Sequence, residues 1–244
     1  MLPEIAREEL AATLDATALD ILADAGVARP PIDVFQVAES LEITVALDEH
    51  QQGRARLVRL ADYRRRDSHP TILLRPEPRA ERRQWALAHE LGECFAWRVF
   101  SALGVDPRET PVGSREAVAS QLAGRLLLPR AWLADDGPTL DWDLFALKAV
   151  YATASHELIA RRMLDFSAPI IVTIFDHERV TMRRSNVRGR VPPSSELELE
   201  CWEESRRTNR SCELCEGLRR VRAWPVHEPD WKREILRTDL EELE

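Results

Sequence analysis

The sequence predicts an α+β protein, and three observations carry that expectation. Apolar residues recur at helical spacing over 3–26, 79–102 and 115–128. Short runs rich in β-branched and aliphatic residues lie between those helices: ITVAL at 43–47, RARLVRL at 54–60 and TILLR at 71–75. The chain of 244 residues is 44% apolar and 31% charged, enough for a sizeable core and ordinary for a soluble globular protein.

The elements follow in order. Residues 3–26 place Leu10, Leu14, Ala18, Ile21, Leu22 and Ala25 on one helical face and end at Gly26, a C-cap signal. Pro30-Pro31 breaks the chain and opens the short helix IDVFQVAESL, with Asp33 in its first turn. Three strands come next, the first two parted by Gly53 and the last two by the loop RRRDSHP. The long helix 79–102 then leads through PRETPVGS to a second helix, 115–128, with Ser114 as its N-cap and Pro129 as its stop. Two shorter helical stretches, DLFALKAVYA and SHELIARRMLDF, precede a β-hairpin of 170–175 and 179–185 across Asp176-His177-Glu178. After Pro192-Pro193 periodicity weakens, acids and arginines dominate, and three of the four cysteines appear. The expected organisation is a helical N-terminal extension over 1–29, a main domain over 30–186 and a small C-terminal appendage over 187–244.

A formal charge of −8 argues against a whole surface given over to nucleic acid, and the patches at 64–66 and 183–190 read either as solvated surface or as a local basic face. No apolar run reaches bilayer length, and the acidic N-terminus lacks the pattern of a secretory leader. With four cysteines that make no disulfide framework, the expected location is the cytoplasm.

The stretch ALAHELGECF at 86–95 carries the most chemistry. On a helix, His89 and Glu93 project from one face a turn apart, the geometry by which a helix offers two ligands to one ion. Glu90, next to the first ligand, is then placed to act on a metal-bound water. An amphipathic core helix with Trp85, Ala88, Leu91, Phe95 and Val99 inward accounts for the same residues. Ala86, Ala88 and Gly92 surround the pair with small side chains, as a close approach requires. A third ligand must come from another element, and Glu116 is the candidate in the next helix; an acid there is also favoured by the helix dipole.

The chain resembles the ImmA/IrrE metallopeptidases. Pro31-Ile32-Asp33 matches the family's opening helix, TILLRPEPRAERRQWALAHELGE its strand and AHELGH helix, and LAGRLLLP at 122–129 its FAxxLLMP segment. ALKAVYATASHELIARRML is similar to the helix pair that follows, so the resemblance covers roughly 30–165. It implies a zincin-like fold, helices packed on a small mixed sheet, with His89 as metal ligand and Glu90 as general base. Two positions depart from the pattern. Glu93 stands where the family has His, and counting back from Pro129 the family's metal-binding Glu falls on Val118, two residues or about 200° of helix beyond Glu116. A set of one His and two carboxylates neutralises a divalent ion, weakens it as a Lewis acid and tilts preference toward manganese or ferrous iron, with zinc still the first expectation. The implied activity is endopeptidase cleavage of a helix-turn-helix repressor by an activated water.

Other constellations compete. His156-Glu157-Leu158 lacks a partner at Ala160 and reads as helix surface. The segment 143–164 has the outline of a helix-turn-helix, which is also a plain packing unit. Cys201, Cys212, Cys215 and His227 have the types for a Cys₃His metal site, though one CxxC is a modest signal. Three readings of function therefore stand: a metallo-endopeptidase, a regulatory protein that keeps the fold without the activity, and a DNA-associated regulator.

Overall fold

The computed structural model describes residues 5–50, 53–61 and 68–240, without the side chains of 59–61 and 68–69. The arginine run 64–66 lies outside the described residues. Contacts divide the chain into two units, Met1–Asp135 with Val150–Ser155, and Asp136–Ala149 with His156–Glu244.

In the first unit α1 (Arg7–Asp24) buries Leu10, Leu14, Ala18, Ile21 and Leu22, the face read from the sequence. Its last turn closes with Gly26 at φ +71° and with Val27 N–H donating to Leu22 O at 2.8 Å, a conformation that costs glycine nothing. The expected N-terminal extension is part of this unit. Leu14 and Ala18 are wholly buried, and Asp15 meets Arg125 of the later helix α4 (Val112–Leu127) at 2.9 Å. The periodicity of a short segment announces a helix but not what covers it, and α4 is what does.

Asp33 caps α2 (Val34–Ser40) by accepting from Phe35 N–H at 3.0 Å. Gln84 of α3 (Ala80–Ala102) donates to Asp33 at 2.8 Å and accepts from Val34 N–H at 2.9 Å, which ties α2 to α3 through a buried amide. The three expected strands form β1 (Thr44–Leu47), β2 (Ala55–Ala61) and β3 (Ser68–Leu74) in the order β1-β3-β2. The β1–β3 pair is parallel and the β2–β3 pair antiparallel, so the sheet is mixed and β2 lies at an edge. The sheet packs on α3 and supplies Ile72 and Leu74 to the core.

After Pro129 come α5 (Arg130–Thr139), α6 (Leu144–Val150) and α7 (His156–Met163). In the second unit β4 (Ile170–Asp176) and β5 (Arg179–Ser185) form the expected hairpin. Its two turn residues, His177 and Glu178, both have positive φ, as the twist of a two-residue hairpin loop demands. The segment expected to be a small C-terminal appendage, where periodicity weakens in the sequence, is made of regular elements. It contains α8 (Glu196–Thr208), opened by a capping box of Ser195 and Glu198, then β6 (Cys212–Glu216), β7 (Arg219–Glu228) and β8 (Trp231–Asp239). β8 pairs with β4, giving the antiparallel order β5-β4-β8-β7-β6, so one sheet runs across the boundary expected near 187. Phe175, Val221, Ala223 and Leu236 of the strands make its core with Cys201 of α8.

Candidate metal centre

Two helices build the site. On α3 the apolar residues Leu87, Ala88, Leu91, Val99 and Phe100 are buried, which leaves His89 and Glu93 on a more open face. α4 begins at Val112 behind Pro111, earlier than expected, and Ser114 is a buried residue of its first turn instead of its N-cap. Glu116 therefore sits in the second turn of a regular helix. Val118, the position reached by counting back from Pro129, is only 1% exposed and packs in the core.

The two helices run antiparallel, because higher positions on α3 meet lower ones on α4: His89 contacts Ser120, and Glu93 contacts Glu116. Their approach is unusually close. A Cβ built on Gly92 would lie 2.4 Å from the Ala119 carbonyl oxygen. That contact lets short side chains bridge the gap. His89 Nε2 lies 3.5 Å from Glu93 Oε1 and 3.3 Å from Glu116 Oε2, and one ligand atom from each residue falls within 4.8 Å of the others. The structure thus brings together His89, Glu93 and Glu116, the three candidate ligands singled out in the sequence.

The donor set fits a divalent ion. Tetrahedral bonds of about 2.0–2.1 Å set neighbouring ligand atoms about 3.3–3.4 Å apart, close to the two distances observed. The charges agree. Burial first, and then the facing Glu116 carboxylate, push Glu93 above the usual carboxylate range, with His89 opposing; a cation would turn that repulsion into attraction. Ser120 Oγ lies 3.3 Å from His89 Nδ1 and fixes the ring with Nε2 toward the carboxylates, as partners of ligating histidines do. Sequence reasoning missed Ser120, although it is one helical turn beyond Glu116.

Glu90, the next residue of α3 after His89, lines the same cavity and is 6% exposed. Burial raises its carboxyl to about 6, helped by Glu93 and Glu116 and opposed by His89 and by a backbone hydrogen bond from Leu57 of β2. Such a group can take and release a proton near neutral pH. These residues line a cavity of about 390 Å³ whose walls include Arg54 and Ala55 at the start of β2, and Trp85 and Ala86 of α3.

The other constellations are accounted for structurally. Cys201, Cys212, Cys215 and His227 do not come together as a metal-ligating group among the described residues. Cys201, on the buried face of α8, has its Sγ 3.5 Å from Cys212 O, Cys215 is exposed, and His227 Nε2 bonds Glu234 at 2.6 Å. Three residues apart on a strand, Cys212 and Cys215 face opposite sides, so knuckle spacing cannot work there. Glu157 pairs with Arg161 and Arg233, each at 2.7 Å. In the candidate helix-turn-helix, Arg161 is thus engaged and Arg162 is buried against Asp165.

The family model of the IrrE N-terminal-like domain, an M78 peptidase family, matches residues 38–164, just over half of the chain. No curated protein matches. Among solved structures, a Mycobacterium tuberculosis transcriptional regulator superposes with a TM-score of 0.62 over 95% of this chain and 79% of that one. At 15% identity the likeness speaks for the fold alone.

Proposed function

We propose, from the premise that the chain belongs to the IrrE N-terminal-like peptidase family, that it is a divalent-metal-dependent endopeptidase. Its α+β fold is zincin-like. The observation that carries the activity is the convergence of His89, Glu93 and Glu116 beside the buried Glu90 in one cavity. His89, Glu93 and Glu116 would hold the ion, with zinc the first candidate and manganese or ferrous iron favoured more than in a two-histidine site. When bound, the ion supplies Lewis acidity toward a water and a peptide carbonyl.

The chain's own groups do the rest. Glu90 accepts the water's proton as its oxygen bonds to the scissile carbon and the carbonyl π pair moves onto oxygen. Glu90 then returns the proton to the amide nitrogen as the carbon–nitrogen bond breaks, leaving a carboxylic acid and an amine. An extended substrate can lie along β2, an edge strand whose first residue, Ala55, lines the cavity. The substrate class we assign is a helix-turn-helix repressor, as the family resemblance implies, with the cytoplasm as the place of action. No helix among the described residues is long and apolar enough to cross a membrane.

The test is metal analysis of the purified protein together with cleavage of a candidate repressor by wild type and Glu90→Gln. One ion per chain and cleavage lost in the variant support the reading. A second reading, a regulator without cleavage, is favoured by Glu93 in the place of the family's His and by likeness to a protein described as a transcriptional regulator. Metal-free protein that still binds the repressor tightly selects it.

A further inference from the structure

The donor set leaves a chemical debt. One neutral imidazole and two carboxylates cancel the charge of a divalent ion, so that ion stabilises a developing oxyanion less well than it would between two histidines. Peptide cleavage still requires that negative charge to be met, and donors aimed at it are usually the largest single contribution. Arg54 offers what is missing. It lines the cavity just before the edge strand β2, in the same lining as the acids of α3 and α4. Arg54 is exposed, and among the described residues no carboxylate is paired with its guanidinium. Among the described residues lining the cavity it alone carries a fixed positive charge, beside the acids Glu90, Glu93 and Glu116.

Building on the peptidase reading, we propose that Arg54 is a catalytic residue that donates hydrogen bonds to the substrate's scissile carbonyl oxygen as it becomes an oxyanion. The guanidinium keeps its protons throughout and takes no part in bond breaking. Its backbone is anchored independently of the metal-ligating helices, since Arg54 O accepts from Arg75 N–H at 2.9 Å at the start of the β2–β3 pair. A flexible cation on a fixed strand end can therefore close on the carbonyl of a peptide lying along β2.

The experiment titrates metal-loaded full-length protein with two probes, N-phosphoryl-leucinamide, which carries a tetrahedral oxyanion, and N-acetyl-leucinamide, which does not. Wild type, Arg54→Gln and Arg54→Lys are compared, each first assayed for metal content. The expected result is one ion per chain in all three. Affinity for the phosphoryl probe should fall about 100-fold in Arg54→Gln and be partly restored in Arg54→Lys, with the acetyl probe unchanged. Where cleavage is followed, kcat should fall in Arg54→Gln with KM unaltered. Unchanged phosphoryl binding, equal losses for both probes, or loss of the ion in Arg54→Gln overturns the proposal while leaving the peptidase reading in place. A wild-type protein that holds no ion overturns both.

Discussion

Gly92 and Ala119 meet where α3 and α4 cross, so closely that a Cβ on Gly92 would stand 2.4 Å from the Ala119 carbonyl oxygen. Backbone cannot yield as a flexible side-chain end does, so Gly92→Ala must push the helices apart. The expected cost is about 1–3 kcal/mol of stability, with a loss of metal affinity as His89 and Glu116 separate. Gly113→Ala on α4 meets nothing within 4 Å and should be neutral or stabilising. Chemical denaturation and metal titration of the two variants check the contrast.

Glu116 and Val118 test which residue of α4 faces the ion. Glu116→Ala should weaken metal binding at least about 100-fold, the upper end of what loss of a supporting partner costs, and leave the fold intact because the side chain is half exposed. Val118→Glu should cost on the order of 3 kcal/mol, since it places a charge at a position 1% exposed. Calorimetry of metal binding and thermal unfolding separate the two effects.

Glu90 lies outside the ligand cluster and should act on rate alone. Glu90→Gln is expected to lower kcat by about 10²–10⁴-fold with metal stoichiometry and affinity kept. Single-turnover cleavage beside elemental analysis of the same sample reads both quantities.

Exchanging the unusual ligand gives the opposite sign. Glu93→His removes one carboxylate from a site where Glu93 and Glu116 repel one another. Cleavage should be retained or raised, and metal preference should move from manganese and iron toward zinc. Competition between these ions, measured by elemental analysis, checks the shift.

The second unit should lose stability in acid through Glu198. Burial alone would raise its carboxyl, but Arg183, Thr238 and the Ser195 backbone hold it below its ordinary 4.5. A depressed folded-state value contributes stability that is fully present above about pH 4.5 and lost as pH falls through the folded value. Unfolding midpoints of wild type should therefore drop on acidification below pH 4.5. Glu198→Gln should show a flatter acid slope and, at neutral pH, a loss of about 3–5 kcal/mol from the Arg183 guanidinium left unpaired.

The sequence by itself determined the α+β class and the helix that carries His89, Glu90 and Glu93, and offered Glu116 only as a candidate third acid. The first two follow from local periodicity, and a turn of helix places residues four apart together whatever surrounds them. Only the tertiary structure decided that Glu116 reaches His89 while Val118 does not, because α4 starts at Val112 and crosses α3 on Gly92. It alone brought Arg54 and Ser120 to the same cavity from a strand end and a second helix. It also revealed the strands beyond 211, whose buried positions hold Arg222, Glu234 and Arg237. Arg222 and Glu234 are met by Asp141 and Arg206, distant in the chain, and Arg237 by Asp239 two residues on, so charge hid them from any hydrophobic pattern. The cysteine cluster dissolved for the same kind of reason, since strand alternation turns Cys212 and Cys215 to opposite faces and the His227 ring is held by Glu234.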